Sequence, residues 1–130
     1  MAFPDEEKVI GSEFIPMSGY RTGKADADVV GTGAEVAFLV VKVSEWRRKN
    51  IKYQNNDVGA HTLKVYGSFE ETIPNGLSDV ELMELTSAVV AAGVDSGPLV
   101  YENDYTWMVI SVNAPNTEVG KIKMIASRDS

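Results

Sequence analysis

The chain has 130 residues, of which 44% are hydrophobic and 24% are charged, a composition typical of one soluble domain. It contains no cysteine, which excludes thiol nucleophiles, cysteine redox chemistry and cysteine-based zinc sites. The formal net charge of −7 argues against nucleic acid as a partner, because phosphate binding needs clustered lysine and arginine. No run approaches the roughly 18 apolar residues that span a bilayer, so we expect no membrane partner. The acidic residues 1–8 predict no signal peptide.

Charge is distributed unevenly along the chain. Residues 1–35 carry seven acids and three bases, and residues 36–64 carry two acids and six bases. Residues 65–118 carry nine acids and no base, and residues 119–130 carry one acid and three bases. Two interpretations stay open. Either strands place charges wherever solvent is, or the chain presents unlike surfaces to different neighbours.

Residues 1–33 show no sustained hydrophobic period but contain several glycines, two prolines and scattered apolar residues. We predict an extended N-terminal arm with one or two short strands. Ordering such a chain costs about 1–2 kcal/mol per residue in backbone entropy, so we expect the arm to become ordered against a neighbouring subunit. The arm side chains predicted to bind that partner are Phe3, Ile10, Phe14, Ile15, Met17 and Tyr20.

Two segments, residues 34–43 and residues 105–112, are apolar on both faces when read with the period of two that strands require. They predict buried strands, and the second is the best candidate for the centre of the sheet. Residues 121–127 alternate between apolar and polar, which predicts a half-exposed strand. The short connection between the last two segments favours an antiparallel hairpin.

Residues 44–50 expose three consecutive bases beside Trp46, and Trp46, Arg47 and Arg48 are a second set of predicted partner-binding residues. Short strands are predicted over residues 51–54 and 61–69. Residues 80–92 are ambiguous, because a capping-box pattern favours a helix and β-branched residues favour a strand. Since every other element is a strand, we predict a strand over residues 83–90.

Short strands at regular spacing, separated by turn residues, predict an all-β fold. We expect an antiparallel β-sandwich or jelly roll over residues 34–130, preceded by the arm of residues 1–33. No repeat and no second domain is indicated.

No motif for catalysis or cofactor binding is complete. His61 is the only histidine, yet it follows a glycine turn at a strand entry, with no Gly-x-Ser-x-Gly element in the chain. The sequence from Gly31 begins like a dinucleotide fingerprint, but Val36 occupies the place of the third glycine and a strand follows instead of preceding. We therefore predict no catalytic residue, cofactor or metal site, a surface or strand-end His61, and no enzymatic activity.

From about Val36 to the end, the chain resembles small phage virion proteins of the capsid decoration, or cement, type. The resemblance lies in residues 62–69, 85–93, 105–112 and 120–125, where an aromatic-rich strand is followed by a short last one. It implies a β-sandwich core and a non-enzymatic structural role. The implied partners are the major capsid protein or other virion subunits, in a homo-oligomer made in the host cytoplasm and located in the virion.

The alternative is a carbohydrate- or receptor-binding β-sandwich. Such a module needs an aromatic platform, for which the chain offers Trp46, Tyr53 and Tyr66. This alternative requires the three rings to be exposed together.

Overall fold

The structure is a computed structural model that describes residues 15–16 and 22–128, which form an antiparallel β-sandwich. No helix in this part of the chain has the length and hydropathy to cross a membrane. The described strands are β1 Ile15–Pro16, β2 Thr22–Val30, β3 Glu35–Lys42, β4 Arg48–Asn55, β5 His61–Ser68, β6 Met83–Val90, β7 Leu99–Tyr101, β8 Trp107–Asn113 and β9 Val119–Ser127.

The strands form two sheets, one of five strands in the order β1-β2-β9-β4-β7 and one of four in the order β3-β8-β5-β6. Their inner faces share one core, because alternate side chains of each strand point into the space between the sheets. Ile122 and Met124 of β9 lie in the same buried cluster as Met108 and Ile110 of β8. Burial of each such side chain contributes roughly 1.5–3 kcal/mol. The predicted all-β sandwich is confirmed.

The central position of β8 is also confirmed, since β8 pairs with β3 on one side and with β5 on the other. The face of β8 that points away from the core is covered by the chain between β5 and β6. Trp107 and Val109 form a small buried cluster with residues of β3 and β5, and Leu77 and Leu82 pack against it. The indole Nε1 of Trp107 donates a hydrogen bond to the Glu71 carbonyl at 3.2 Å. Residues 69–82, here the β5–β6 connection, therefore form a lid on the four-stranded sheet.

The predicted hairpin between residues 105–112 and 121–127 is wrong. β9 lies in the other sheet, where it pairs with β2 and β4. The intervening chain crosses between the sheets and is held by hydrogen bonds from Gly31 N to Glu118 O at 2.6 Å and from Gly33 N to Ala114 O at 2.9 Å. The apolar faces of β8 and β9 thus meet across the core instead of lying side by side.

Part of the predicted arm belongs to the sandwich. β2 pairs with β9 along its whole length, and its Ala25, Ala27 and Val29 are buried in the core. The sandwich therefore includes Thr22–Val30 and does not begin at residue 34. β1 pairs with β2 through Ile15 opposite Lys24 and Pro16 opposite Gly23.

The ambiguous segment is a strand with the predicted bounds, Met83–Val90. It pairs with β5, with a register shift between Val65 and Tyr66 of β5. Val90 enters the core and Leu85 packs against it. These long-range contacts outweigh the local capping signal.

Candidate functional site

The side chains predicted in the arm, Phe3, Ile10, Phe14, Met17 and Tyr20, lie outside the described residues. Ile15 is described only through its backbone pairing with β2. Their predicted role in partner binding stays a prediction.

The second predicted set, Trp46, Arg47 and Arg48, lies in and after the turn between β3 and β4. Trp46 is buried, with 7% exposure, and the guanidinium of Arg128 lies 4.8 Å from its ring centroid, a cation–π contact. Arg47 and Arg48 are exposed, and Arg48 Nε is 3.8 Å from a carboxylate oxygen of Glu102. Of these three side chains, the two arginines are accessible to a partner.

Lys49 is not the third exposed base that the sequence suggested, because it is fully buried. Its Nζ donates to the carbonyls of Trp46 at 3.1 Å, Arg47 at 3.0 Å and Asn103 at 2.6 Å. Burial lowers the pKa of its ammonium, and the charge on Asp104 partly opposes that effect. Lys49 therefore ties the β3–β4 turn to the β7–β8 turn at one end of the sandwich.

His61 begins β5, as a strand-end histidine should, but it is fully buried and not on the surface. Its Nδ1 is 2.7 Å from the Tyr53 hydroxyl, and its Nε2 is 3.0 Å from Glu118 Oε1. The same carboxylate oxygen accepts a hydrogen bond from Gly59 N at 3.0 Å. Burial, followed by the charges of Asp57 and Glu118, raises the pKa of the Tyr53 phenol. The Tyr53 phenol keeps its proton and donates a hydrogen bond to His61 Nδ1. The imidazole then carries its own proton on Nε2 and donates a hydrogen bond to Glu118.

This network joins β4, β5 and the turn before β9. Neither a phenol that resists ionisation nor a carboxylate that already accepts a hydrogen bond from a backbone amide is an activated nucleophile. The network therefore acts as a structural clamp. Among the described residues, no group of three or more acidic or histidine side chains is arranged to hold a metal ion.

The predicted aromatic platform is wrong, because Trp46, Tyr53 and Tyr66 are all buried. Tyr53 points into the core, and Tyr66 lies under the β5–β6 connection. The Tyr66 hydroxyl donates to Glu35 Oε2, and burial together with that hydrogen bond raises the pKa of the phenol. A sugar therefore has no exposed ring here on which to stack.

Among the described residues, the outer side of the five-stranded sheet carries most of the exposed bases, and we call it the basic face. Lys52 of β4 and Lys123 of β9 are directly opposite each other, which is unfavourable for like charges. With Asn50, Pro98 and Ile125 they line a shallow depression of about 360 Å³. The charged side chains on the strands of the basic face are Lys24, Asp26, Asp28, Arg48, Lys52, Lys121 and Lys123, and two acids border it, Asp95 at 3.9 Å from Lys52 and Glu102 at 3.8 Å from Arg48.

The opposite side of the sandwich is acidic, and we define the acidic face as residues 69–84. Val80 is 92% exposed and Phe69 is 57% exposed, the latter stacked on Tyr105 with ring centroids 5.3 Å apart. Lys42 and Lys64 lie beside this face, and Lys64 is 3.3 Å from Glu84. The acids of the acidic face are Glu70, Glu71, Asp79, Glu81 and Glu84, and it contains no base.

Sequence reasoning found the charge blocks but not these two faces, because the side on which a block lies depends on the strand order.

No protein-family model matches the chain, and no curated protein matches it in sequence. Several solved structures share its fold. A structure described as Bacillus endospore appendages that form a novel family of disulfide-linked pili matches with a TM-score of 0.54 and 13% identity, over 81% of this chain and 83% of that chain. PirA matches with a TM-score of 0.52 and 14% identity, over 79% and 92% of the two chains. The SPBc2 prophage-derived protein YomS matches with a TM-score of 0.51 and 12% identity, over 81% and 93%. At these identities the chain is similar to all three in its β-sandwich fold.

Proposed function

We propose that this protein is a non-enzymatic structural subunit of a phage particle, a capsid decoration (cement) protein that stabilises the shell through protein–protein contacts. The observation that carries the proposal is the exposure of three apolar side chains within residues 69–84, Phe69, Ile73 and Val80. Apolar side chains exposed among acidic residues on one surface segment are typical of protein interaction sites.

The buried polar groups support a structural role over a catalytic one. Lys49 joins two turns at one end of the sandwich, and His61 joins two strands and a turn through Tyr53 and Glu118. Both groups are used to hold the scaffold and leave its outer faces for contact with other subunits.

The fold is compatible with this role. One of the similar structures is a pilus and another is a prophage-derived protein. The assignment to a phage capsid itself comes from the sequence pattern between Val36 and the end of the chain. We infer that the partners are the major capsid protein or another virion subunit, that the protein is a homo-oligomer, and that it is located in the virion.

The anchoring segment is residues 1–14, which precede β1. It combines Phe3, Ile10 and Phe14 with an acidic stretch at residues 5–7. Because the paired strand β1 begins at Ile15, removal of residues 2–14 leaves the described sandwich complete.

Binding to particles tests the function. Particles purified after deletion of the coding gene are mixed with the full chain, sedimented, and assayed for bound protein and for resistance of the shell to heat. The full chain is expected to bind in a fixed ratio and to raise the temperature at which the shell opens. Failure of the folded full chain to bind and stabilise these particles contradicts the proposal.

Two variants locate the anchor. Phe3→Ser, Ile10→Ser and Phe14→Ser are combined in one chain, and the matched control combines Asp5→Asn, Glu6→Gln and Glu7→Gln. The first variant is expected to stay folded by circular dichroism and to lose binding, whereas the control keeps it. Normal binding by the first variant excludes residues 1–14 as the anchor and favours Arg47 and Arg48 as the contact.

A further inference from the structure

We propose that copies of this protein stack head to tail, with the basic face of one copy on the acidic face of the next. The two faces lie on opposite sides of the sandwich, since one is the outer side of the five-stranded sheet and the other is the lid on the four-stranded sheet. A contact between unlike faces is heterologous and propagates into a ring or a row. The inference deepens the proposed function, on which it rests, by naming the interface between subunits.

The first argument is charge. The strands of the basic face carry five bases and two acids, with Asp95 and Glu102 paired to Lys52 and Arg48 at its border, whereas residues 69–84 carry five acids and no base, with Lys42 and Lys64 beside them. Within the described residues, Lys24 and Lys123 of the basic face form no ion pair, and neither do Glu70, Glu71 and Glu81 of the acidic face. Bringing the two faces together supplies partners for both sets.

The second argument is shape. Ile125 lines the depression on the basic face, half exposed, with Lys52 and Lys123 beside it. Val80 on the acidic face follows Asp79 and precedes Glu81 in the sequence, and it is almost fully exposed. An apolar side chain flanked by carboxylates is the complement of an apolar depression flanked by lysines. Such a centre, surrounded by charged residues, has the anatomy of a protein interface.

Charge swapping tests the contact. The full chain is followed by sedimentation velocity over a range of concentrations, at low salt and at 1 M NaCl. One variant combines Lys24→Glu with Lys123→Glu, and another combines Glu70→Lys with Glu81→Lys. A third variant carries all four substitutions.

The wild-type chain is expected to self-associate at low salt and to dissociate at high salt, where the screening length falls to about 3 Å. Each double variant is expected to lose about tenfold or more in association constant, because like charges then oppose each other. The fourfold variant regains association alone, and a mixture of the two double variants also associates. A contact between two like faces does not predict recovery in the fourfold variant.

A matched control carries Glu45→Lys, which changes net charge as much as Glu81→Lys alone but lies in the β3–β4 turn at the end of the sandwich, and the two single variants are compared. The Glu45→Lys control is expected to associate like wild type. Val80→Ser, which leaves every charge in place, is expected to weaken association as well. A wild-type chain that stays monomeric at every concentration, or a fourfold variant as dissociated as the double variants, overturns the inference. Neither result affects particle binding through the arm, so the particle-binding experiment tests the proposed function independently of this inference.

Discussion

Replacement of Gly120 by alanine tests the packing of the buried clamp around His61. A Cβ atom at this position would lie 2.0 Å from the Tyr53 hydroxyl oxygen, 2.5 Å from Tyr53 Cζ and 2.8 Å from the Gln54 carbonyl oxygen. The Tyr53 ring is fully buried and must move, which breaks its 2.7 Å hydrogen bond to His61 Nδ1. Overpacking costs about 1–3 kcal/mol and the lost hydrogen bond about 0.5–1.5 kcal/mol. We expect Gly120→Ala to lower the free energy of unfolding by about 2–4 kcal/mol.

Urea unfolding followed by circular dichroism measures this loss. With an m-value of about 1–3 kcal/mol/M, the midpoint is expected to fall by about 1–2 M. Tyr53→Leu, which removes the ring atoms nearest to the added methyl group, serves as the second arm of a double-mutant cycle. The double variant should cost less than the sum of the two single variants, because they share one clash. A wild-type midpoint for Gly120→Ala, or strictly additive losses, refutes the packing described here.

Two further predictions concern the core and three tyrosines. Ile110→Ala is expected to lower the free energy of unfolding by about 2–5 kcal/mol, because Ile110 is fully buried in the main core cluster; an unchanged urea midpoint would contradict the central place of β8. Stability is also expected to fall as pH rises above about 10, because burial raises the pKa of Tyr53, Tyr66 and Tyr101 in the folded state while the unfolded chain loses those protons at the ordinary value. Lys49 acts in the opposite sense, since its lowered pKa makes stability rise with pH below the unfolded value, but one lysine opposes three phenols. Melting temperatures between pH 8 and 11 measure the balance, and Tyr66→Phe should reduce the slope; a flat profile contradicts the prediction.

Strand positions and faces were largely predictable because alternation is a local property. The two-faced apolar pattern of residues 105–112 located β8, and the β-branched residues of Met83–Val90 located β6. One or two short strands were expected within residues 1–33, but β2 was not located, although Ala25, Ala27 and Val29 alternate with Lys24, Asp26 and Asp28. Its inward side chains are mostly small, so the apolar signal was weak.

Strand pairing was not predictable from the same pattern. An apolar alternating strand satisfies its inward face equally well beside a neighbour in one sheet or opposite it in the other. β8 and β9 take the second arrangement, which depends on the crossing of residues 114–118 between the sheets.

The burial of Lys49 and His61 was indicated only in part by the sequence. Lys49 shares a face of β4 with Ile51 and Tyr53, and His61 shares a face of β5 with Leu63 and Val65, so the period of two alone placed both side chains inward. Residue type argued the other way, because an unpaired charge in a core is expensive. What resolves the conflict is distant in sequence, since Asn103 accepts from Lys49 and Glu118 contacts His61.

Pairing between strands that are distant in sequence also explains how blocks of charge along the chain are brought together on faces of the molecule. The basic blocks at residues 36–64 and 119–130 contribute β4 and β9, which are neighbours in the five-stranded sheet. The acidic block at residues 65–118 contributes the β5–β6 connection, which lies on the other sheet. Solvation alone requires charges on both faces but does not require a different sign on each. β2 shows the mixed case, because its Asp28 lies 3.6 Å from Lys121 and its Asp26 is directly opposite Lys123 on the basic face. The charge-swap variants test whether the difference in charge between the two faces that remains after such pairing drives association.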